Sequence, residues 1–199
     1  MVETLAFKIF LYAGCLTLLE GDCWPCKRQA HSIKKFYFTK EPIWTLMTSG
    51  HTNIRCLVDR VNAMEKKSVF FTRCCYNRGY KVCRTFEGIF VTGRKKHMEV
   101  KNLGKGMNFQ EDLLYATDDY RCSVVMVTTT VCGKYRTYDL RIRGAYIVLR
   151  PPPKCLEHYR KFERHGTVLY ERNCTDILKR QEKAGSYEPQ NDRCGNRVN

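Results

Sequence analysis

The sequence predicts an all-β fold: an eight-stranded antiparallel up-and-down barrel with a C-terminal α-helix packed on its outside. The first reason is that the middle of the 199-residue chain is a series of short runs rich in β-branched and aromatic residues, separated by turn residues. The second reason is that a single helical pattern follows the last run. Closing eight strands into a barrel removes exposed sheet edges and leaves an interior about wide enough for one small ligand.

Eight runs are predicted as strands because each is rich in β-forming residues and stops at a polar or glycine-containing turn. They cover residues 43–49, 53–61, 68–75, 80–92, 97–103, 112–117, 120–130 and 135–143. The clearest breaks are Gly50-His51-Thr52, Asn77-Arg78-Gly79, Gly93-Arg94-Lys95-Lys96 and Gly104-Lys105-Gly106. This alternation of short strands and turns is typical of a barrel or a sandwich.

The chain changes character after the last predicted strand. Residues 150–153, Arg-Pro-Pro-Pro, are expected to be extended because proline disfavours helix in the residue before it. Residues 155–166 are predicted as a short helix whose one apolar face comes from residues spaced three apart, namely Leu156, Tyr159 and Phe162. Residues 167–170 could add one more strand.

The first 21 residues are predicted to be a secretory signal peptide. Residues 9–19 are apolar, a length that suits such a signal and is shorter than the roughly 20 residues that span a bilayer. The rest divides into a barrel domain, residues 22–181, and a polar tail, residues 182–199. Removing the signal takes away one net negative charge, so the formal charge of +15 becomes +16. A chain this basic is drawn to anionic partners, and no membrane span is predicted.

Twelve cysteines, eleven of them beyond the apolar run, predict a disulfide-bonded protein in an oxidising, extracellular compartment. The motif Cys23-Trp24-Pro25-Cys26 has the spacing of a redox site. It lies at the start of an all-β chain, however, so a structural bridge is favoured over a redox role and over zinc. The five histidines are scattered, and no Ser/His/Asp or Cys/His arrangement is evident. We therefore expect a protein that is not an enzyme and has no catalytic residues, metal or other cofactor.

Several short segments occur in an order and spacing shared with a known family. They are Glu41-Pro42-Ile43-Trp44-Thr45, Asn53-Ile54-Arg55-Cys56, Leu114-Tyr115, Asp119-Tyr120-Arg121-Cys122-Ser123-Val124-Val125, Tyr138-Asp139-Leu140-Arg141, Cys155 and the segment from Tyr170 to Cys174. On these segments, which span most of the chain beyond the signal, the chain resembles the salivary lipocalins of ticks, the family that includes the histamine-binding proteins. The resemblance implies a lipocalin barrel.

The resemblance also implies two disulfides, Cys56–Cys174 and Cys122–Cys155. Both would close long loops, and each would stabilise the fold by about 3–5 kcal/mol in the loop-entropy model. Seven further cysteines remain beyond the signal: Cys23, Cys26, Cys74, Cys75, Cys83, Cys132 and Cys194. An odd number cannot pair completely within one chain, so either one thiol is free or one cysteine links two chains in a covalent dimer.

A ligand cavity inside the barrel is a further implication of the resemblance. In the amine-binding members an acidic residue follows the seventh-strand cysteine, whereas this chain has Ser123 there. Their Glu-Leu-Trp-like triplet on the eighth strand reads Asp139-Leu140-Arg141 in this chain. Compared with the amine-binding members, this chain therefore lacks one carboxylate, at Ser123, and has an additional cation, Arg141. An ammonium ligand is therefore poorly compensated, because a buried charge without a partner is costly.

An anionic lipid fits these residues better. Arg141 could hold a ligand carboxylate through two parallel hydrogen bonds, and the apolar wall would come from Trp44, Phe71 and Tyr115. The opposing interpretation is that the three aromatic residues are plain barrel core and that Arg141 points outward. Asp139 and Arg141 share a strand face, so they could also pair with each other.

The leading hypothesis is a secreted lipocalin that sequesters a small host mediator and so suppresses host inflammation. The mediator would be a lipid such as a leukotriene or fatty acid or, less favoured, a biogenic amine such as histamine. The alternative is a protein-binding inhibitor that uses the barrel loops against a complement component or cytokine. A third hypothesis is anchoring to a glycosaminoglycan through Arg94, Lys95 and Lys96. Asn173 is a candidate N-glycosylation site, and no nucleic-acid partner is expected.

Overall fold

The computed structural model describes residues 30–130, 133–144 and 151–179. The predicted signal peptide, the predicted polar tail and four cysteines, Cys23, Cys26, Cys132 and Cys194, lie outside these ranges. The described residues from His31 onward form one compact unit.

Nine strands, two α-helices and one 3-10 helix make up the described chain. In chain order they are α1 (Ile33–Tyr37), β1 (Ile43–Thr48), β2 (Ile54–Met64), β3 (Ser68–Asn77), β4 (Tyr80–Phe90), β5 (His97–Asn102), β6 (Phe109–Ala116), β7 (Cys122–Thr129), β8 (Tyr135–Arg143), α2 (Pro153–Arg160), β9 (Thr167–Val168) and the 3-10 helix (Arg172–Leu178). Within the described ranges, no helix is long and apolar enough to cross a membrane.

Strands β2 to β8 pair in sequence order, each antiparallel to the next, and β1 pairs with both β8 and β2. The predicted closed up-and-down barrel of eight strands is therefore confirmed. The closure between β1 and β2 is short, because only Ile43 and Trp44 of β1 are in register with β2. Strand β9 occupies the rest of this seam. Leu169 donates its N–H to the carbonyl of Leu46 at 2.9 Å and accepts the N–H of Cys56 at 2.7 Å.

Several element boundaries differ from the sequence prediction, and helix α2 ends at Arg160, six residues before its predicted end, so that Phe162 lies beyond it. Helix α2 starts at Pro153, inside the segment that we expected to be extended, because proline is tolerated in the first turn of a helix. Strand β2 continues to Met64 through residues predicted as a break, and β6 starts at Phe109 rather than residue 112. Helix α1 and the 3-10 helix were not predicted. Each is only about two turns or less, too short for a periodic signal.

Helix α1 lies across one end of the barrel, which we call the helix end. Its Ile33 donates a backbone N–H to the carbonyl of Lys95, in the turn between β4 and β5, at 3.0 Å. Arg143, at the end of β8, donates to the carbonyls of Lys35 and Phe36. The helix forms because its spacing of apolar residues turns Ile33, Phe36 and Tyr37 toward the barrel interior, where they are buried.

Two hydrophobic clusters lie on opposite faces of the barrel wall. The inner cluster fills the barrel with alternate residues of the strands and with α1, and includes Phe71, Phe86, Met98, Leu113 and Val125. The outer cluster lies between the wall and α2, which contacts β6, β7 and β8. The predicted external helix is thus present, anchored by the buried side chains of Cys155 and Tyr159.

Three disulfides lie within the described residues, and two of them hold outer elements to the wall. Cys56–Cys174 joins β2 to the 3-10 helix, and Cys122–Cys155 joins β7 to α2, the two pairs that the resemblance implies. The third, Cys74–Cys83, links neighbouring strands β3 and β4 at directly opposed positions. The structure thus assigns two of the seven remaining cysteines to each other. Cys75 carries a free thiol.

Candidate functional site

Five charged side chains meet inside the barrel, and we call them the interior ionic cluster. They come from inward-facing positions of four strands: Asp59 of β2, Arg73 of β3, Glu111 of β6, and Asp139 and Arg141 of β8. Arg141 and Glu111 are fully buried, and the side chain of Arg73 is 14% exposed. Such burial is tolerated only where charges are paired and hydrogen-bonded.

Arg141 is the centre of the cluster. Its two terminal nitrogens donate to the two carboxylate oxygens of Glu111, each at 2.9 Å. Nη2 also donates to Asp139 at 2.9 Å, and Nη1 donates to the Tyr37 hydroxyl at 2.9 Å. The pairing of Asp139 with Arg141 on one strand face is therefore present. The terminal nitrogens of Arg141 thus have partners from the protein itself.

Arg73 supplies the second guanidinium. It holds Asp59 in a two-point pair, with Nε to Oδ1 at 2.6 Å and Nη2 to Oδ2 at 2.7 Å. Nη2 also reaches Glu111 at 3.0 Å, so Glu111 joins the two arginines. The guanidinium carbon of Arg73 lies 5.2 to 5.8 Å from the ring centres of Phe71, Phe86 and Phe109. These distances are within the range of cation–π attraction.

Two hydroxyl groups complete the bonding of the cluster. Tyr37 of α1 donates to Glu111 at 2.8 Å and lies 3.4 Å from Asp59, so the helix end is tied to the charged centre. Thr48 of β1 donates to Oδ1 of Asp139 at 2.8 Å. The three carboxylates therefore all accept hydrogen bonds from within the protein.

The electrostatics keep Glu111 ionised. Burial opposes its charge, but the guanidinium groups of Arg141 and Arg73 more than offset this effect, and its pKa is lowered to about 2. The pKa of Arg141 is raised despite burial, chiefly by Glu111. Burial, followed by the charge of Glu111, raises the pKa of Tyr37, which stays a neutral donor. Three carboxylates face two guanidiniums, so the cluster has a formal charge of −1.

Two buried polar atoms beside this cluster have no hydrogen-bond partner among the described residues. They are the hydroxyl oxygen of Ser123 and Nε of Arg141. The two residues are opposed in the β7–β8 register, which places their Cβ atoms about 4.5–5.5 Å apart. Both residues are fully buried. An unpartnered buried donor costs about 1–3 kcal/mol, so a small polar group, either a buried water or part of a ligand, would be stabilised at this point.

The apolar part of the interior is lined by aromatic rings on the same face as the cluster. Phe71 stacks on Phe86 at 5.5 Å between ring centres, and Phe86 meets Phe109 edge-on at 5.4 Å. Cys75 lies two residues beyond Arg73 on the same face of β3, toward the end of the barrel opposite α1. Burial raises the pKa of its thiol although Arg73 and Arg84 oppose the effect.

The structure corrects the position expected for two aromatic site residues. Trp44 and Tyr115 belong to the outer cluster rather than the interior. Trp44 packs edge-on against Tyr170 and donates to the carbonyl of Gly144, while Tyr115 stacks on His158 of α2 at 3.7 Å. The pleat explains this, because successive strand residues point to opposite faces and the preceding Ile43 is the inward one. Phe71, Ser123, Asp139 and Arg141 do lie inside, and their contact with a ligand stays a prediction.

Sequence reasoning missed four polar residues of the interior: Tyr37, Asp59, Arg73 and Glu111. Three of them are charged residues at inward-facing positions of strands whose other inward-facing positions are apolar. An example is Glu111, which lies between Phe109 and Leu113 on the inward face of β6. A charge at such a position is normally read as the solvent face of a strand. Only the partner strands show that Glu111 points inward.

Two depressions lie on the outside of the barrel. The larger, about 770 Å³, borders the β1–β2 seam and is lined by Tyr76, Arg78, Glu171 and others, including the predicted glycosylation residue Asn173. Asn173 is exposed, and the neighbouring Cys174 is buried in its disulfide. The smaller, about 190 Å³, lies between α2 and β9. Glycosylation of Asn173 stays a prediction.

Comparison with solved structures finds lipocalins. Apocrustacyanin C1 matches with a TM-score of 0.51 and 10% identity over 69% of this chain and 79% of that chain. Lobster apocrustacyanin A1 matches with a TM-score of 0.50 and 11% identity over 68% of this chain and 78% of that one. The siderocalin Ex-FABP matches at 0.48 and 12% identity, over 64% and 83%. The barrel is a lipocalin barrel. No family model and no curated protein matches the sequence.

Proposed function

We propose that the protein is a secreted lipocalin, of the kind found in tick saliva, that sequesters a small host mediator and thereby suppresses host inflammation. It would act by stoichiometric capture and not as an enzyme. The lipocalin barrel supports small-ligand binding, and the three disulfides fit an extracellular location. The segments that resemble tick salivary lipocalins support the assignment to that group.

The observation that carries the ligand assignment is the pair of unpartnered atoms, Ser123 Oγ and Arg141 Nε. An N–H group requires an acceptor, and a serine hydroxyl can either accept or donate. A ligand oxygen satisfies both atoms at once, whereas an ammonium group cannot accept from Nε. The surrounding rings of Phe71 and Phe86 suit an apolar chain. We therefore favour an oxygen-bearing lipid.

The charges around this point decide whether the ligand oxygen belongs to a carboxylate or to a neutral group. The other N–H donors of Arg141 already bind Glu111, Asp139 and Tyr37, so a two-point grip on a ligand carboxylate would displace them. The interior ionic cluster also has a formal charge of −1, which repels a second anion. A lipid hydroxyl or carbonyl at this point is therefore favoured. A carboxylate end would lie toward Arg84, an exposed residue that is opposed to Arg73 in the β3–β4 register.

Titration with matched lipids tests the ligand assignment. We expect a leukotriene or similar hydroxylated fatty acid to bind, and the corresponding fatty acid without hydroxyls to bind at least about tenfold more weakly, the effect of one lost hydrogen bond. Ser123→Val should remove this difference. The control is Thr85→Val on the exposed side of β4, which should preserve it. Failure of all oxygenated lipids to bind, by calorimetry and native mass spectrometry, would refute the proposal.

A biogenic amine is the second candidate because the excess formal charge of the interior ionic cluster is negative. A cation that reached Asp139 would bring the formal charge of the cluster to zero. Histamine and serotonin therefore belong in the same titration. Binding of either amine, weakened by Asp139→Asn and unaffected by Ser123→Val, would replace the lipid assignment with the amine.

Secretion is tested separately by expressing the full chain in insect cells. We expect the protein in the medium, with an N-terminus close to residue 22. Retention of the uncleaved chain inside the cells would contradict this part of the proposal without affecting ligand binding.

A further inference from the structure

Seven basic residues from three separate segments meet at the helix end of the barrel, and we call this surface the basic face. They come from α1, from the β2–β3 turn and from the β4–β5 turn: Lys34, Lys35, Lys66, Lys67, Arg94, Lys95 and Lys96. The two turns lie at the same end because they join alternate strands of an up-and-down barrel. Arg94, Lys95 and Lys96 are adjacent in the sequence, whereas the other four residues join them only through the fold.

Backbone contacts hold the three segments together. Lys67 accepts the N–H of Phe90, which joins the first turn to the end of β4, at 2.9 Å. Lys95 accepts the N–H of Ile33 at 3.0 Å, which joins the second turn to α1. The ammonium group of Lys34 donates to the carbonyl of Lys66 at 2.6 Å and so links α1 to the first turn. The positions of the charges are therefore fixed by the fold.

Few acidic groups neutralise this surface. Arg94 lies 4.0 Å from Asp112, and Lys34 is used in the carbonyl contact described above. The other five, Lys35, Lys66, Lys67, Lys95 and Lys96, have no acidic partner among the described residues and are exposed. Glu65 also lies in the first turn, where it accepts from Ser68. On these three segments and their ion pairs, seven positive charges therefore face two negative ones. The β6–β7 turn at the same end adds Asp118, Asp119 and Arg121, which still leaves an excess of positive charge that attracts polyanions.

We propose that the basic face binds a sulfated polysaccharide of the heparin type. Exposed lysines on three segments suit a linear chain whose sulfates are spaced along its length. Disulfide bonding favours an extracellular polyanion over nucleic acid. A membrane would also require exposed apolar groups, but Ile33, Phe36 and Tyr37 of α1 are buried and only the following Phe38, 72% exposed, projects from this segment.

Two variants of equal net charge separate a specific surface from general basicity. The first replaces Lys66, Lys67, Lys95 and Lys96 by glutamine on the basic face. The control replaces four exposed cations elsewhere by glutamine: Lys101, Lys134, Arg136 and Lys154. All eight substitutions keep the backbone groups that hold the turns, and equal thermal unfolding of both variants checks the fold.

Heparin-oligosaccharide titration from low to physiological salt gives the readout. We expect the basic-face variant to lose at least about tenfold in affinity and the slope of log Kd against log salt to fall by about 3, from counterion release. The control should change either quantity far less. Equal losses in both variants, undiminished binding to desulfated heparin, or binding to phosphatidylserine vesicles without binding to heparin would each overturn the proposal. Both variants should bind lipids in the barrel with the same affinity, because polysaccharide binding at the basic face does not depend on the interior ligand.

Discussion

Arg141 and Glu111 form a two-point ion pair inside the barrel, with both contacts at 2.9 Å and both side chains fully buried. They lie on strands β8 and β6, which are separated by β7. The pair therefore reaches over β7 on the inner face of the wall and connects two strands that share no backbone hydrogen bonds. Removing either partner would break both contacts and leave buried polar atoms of the other without hydrogen bonds, although Asp139 still pairs with Arg141 and Arg73 still pairs with Glu111.

Glu111→Gln should destabilise the protein strongly. The change keeps the side-chain shape but removes the charged acceptor of hydrogen bonds from Arg141 and Arg73. Asp139 and Asp59 still pair with the two arginines, so we expect a loss of about 2–3 kcal/mol in the free energy of unfolding. Urea denaturation followed by tryptophan fluorescence measures it. Glu99→Gln, on the exposed face of β5, is the control and should change stability by less than about 0.5 kcal/mol. Equal effects of the two variants would contradict the structural role of the pair.

Glu111 should also make the free energy of unfolding depend on pH in the acidic range. Its pKa is about 2 in the folded protein and 4.5 ordinarily. A depressed carboxyl pKa stabilises the fold above the ordinary value, and this stabilisation is lost as pH falls from about 4.5 toward 2. The full loss is about 3 kcal/mol, at 1.36 kcal/mol per pKa unit. Urea unfolding at several pH values should show this decline, and Glu111→Gln should lack that component of it.

The three disulfides should differ in their contributions according to the loops they close. The sequence separation of the bonded cysteines is 118 residues for Cys56–Cys174, 33 for Cys122–Cys155 and 9 for Cys74–Cys83. The chain-entropy model gives about 5, 4 and 2.5 kcal/mol, respectively. Paired replacement of each disulfide by serines, with unfolding measured in urea, tests the order. A larger loss for Cys74–Cys83 than for Cys56–Cys174 would contradict it.

Gly166 is predicted to tolerate no side chain. A Cβ at this position would lie 2.8 Å from the backbone carbonyl oxygen of Thr48 and would clash with the Tyr159 hydroxyl. The Thr48 carbonyl is in a strand of the barrel and cannot easily move, so Gly166→Ala should cost about 1–3 kcal/mol. Gly104→Ala is the control, because its nearest neighbour would be 3.7 Å away. Similar melting temperatures for the two variants would refute this packing argument.

The free thiol of Cys75 should react slowly near neutral pH. Alkylation requires the thiolate, and burial raises the pKa of this thiol. We expect its iodoacetamide rate to be well below that of the urea-unfolded chain and to keep rising above pH 9. Peptide mass spectrometry identifies the modified residue. A rate equal to that of the unfolded chain would show that the thiol is not buried and that its pKa is not raised.

Most of the barrel could be predicted from the sequence because its signals are local. The alternation of apolar residues and the turn sequences located all eight barrel strands, with errors of a few residues at their ends. Helix α1 carried no such signal, since its five residues become helical through contacts with Lys95 and Arg143, which lie far along the chain. The position of Trp44 was predicted wrongly because an error of one residue along a strand moves a side chain to the opposite face of the sheet.

By itself, the sequence determined the fold class and, from the two-residue period of a strand, the shared face of Asp139 and Arg141. The relation of Ser123 to this pair came from the resemblance to tick salivary lipocalins. Only the tertiary structure decided that Arg141 meets Glu111 and Tyr37, residues 30 and 104 positions away, and that lysines of three segments form one basic face. The physical reason is that strand periodicity fixes which face a residue occupies, whereas the register between strands and the closure of the barrel fix which residues it meets across the interior.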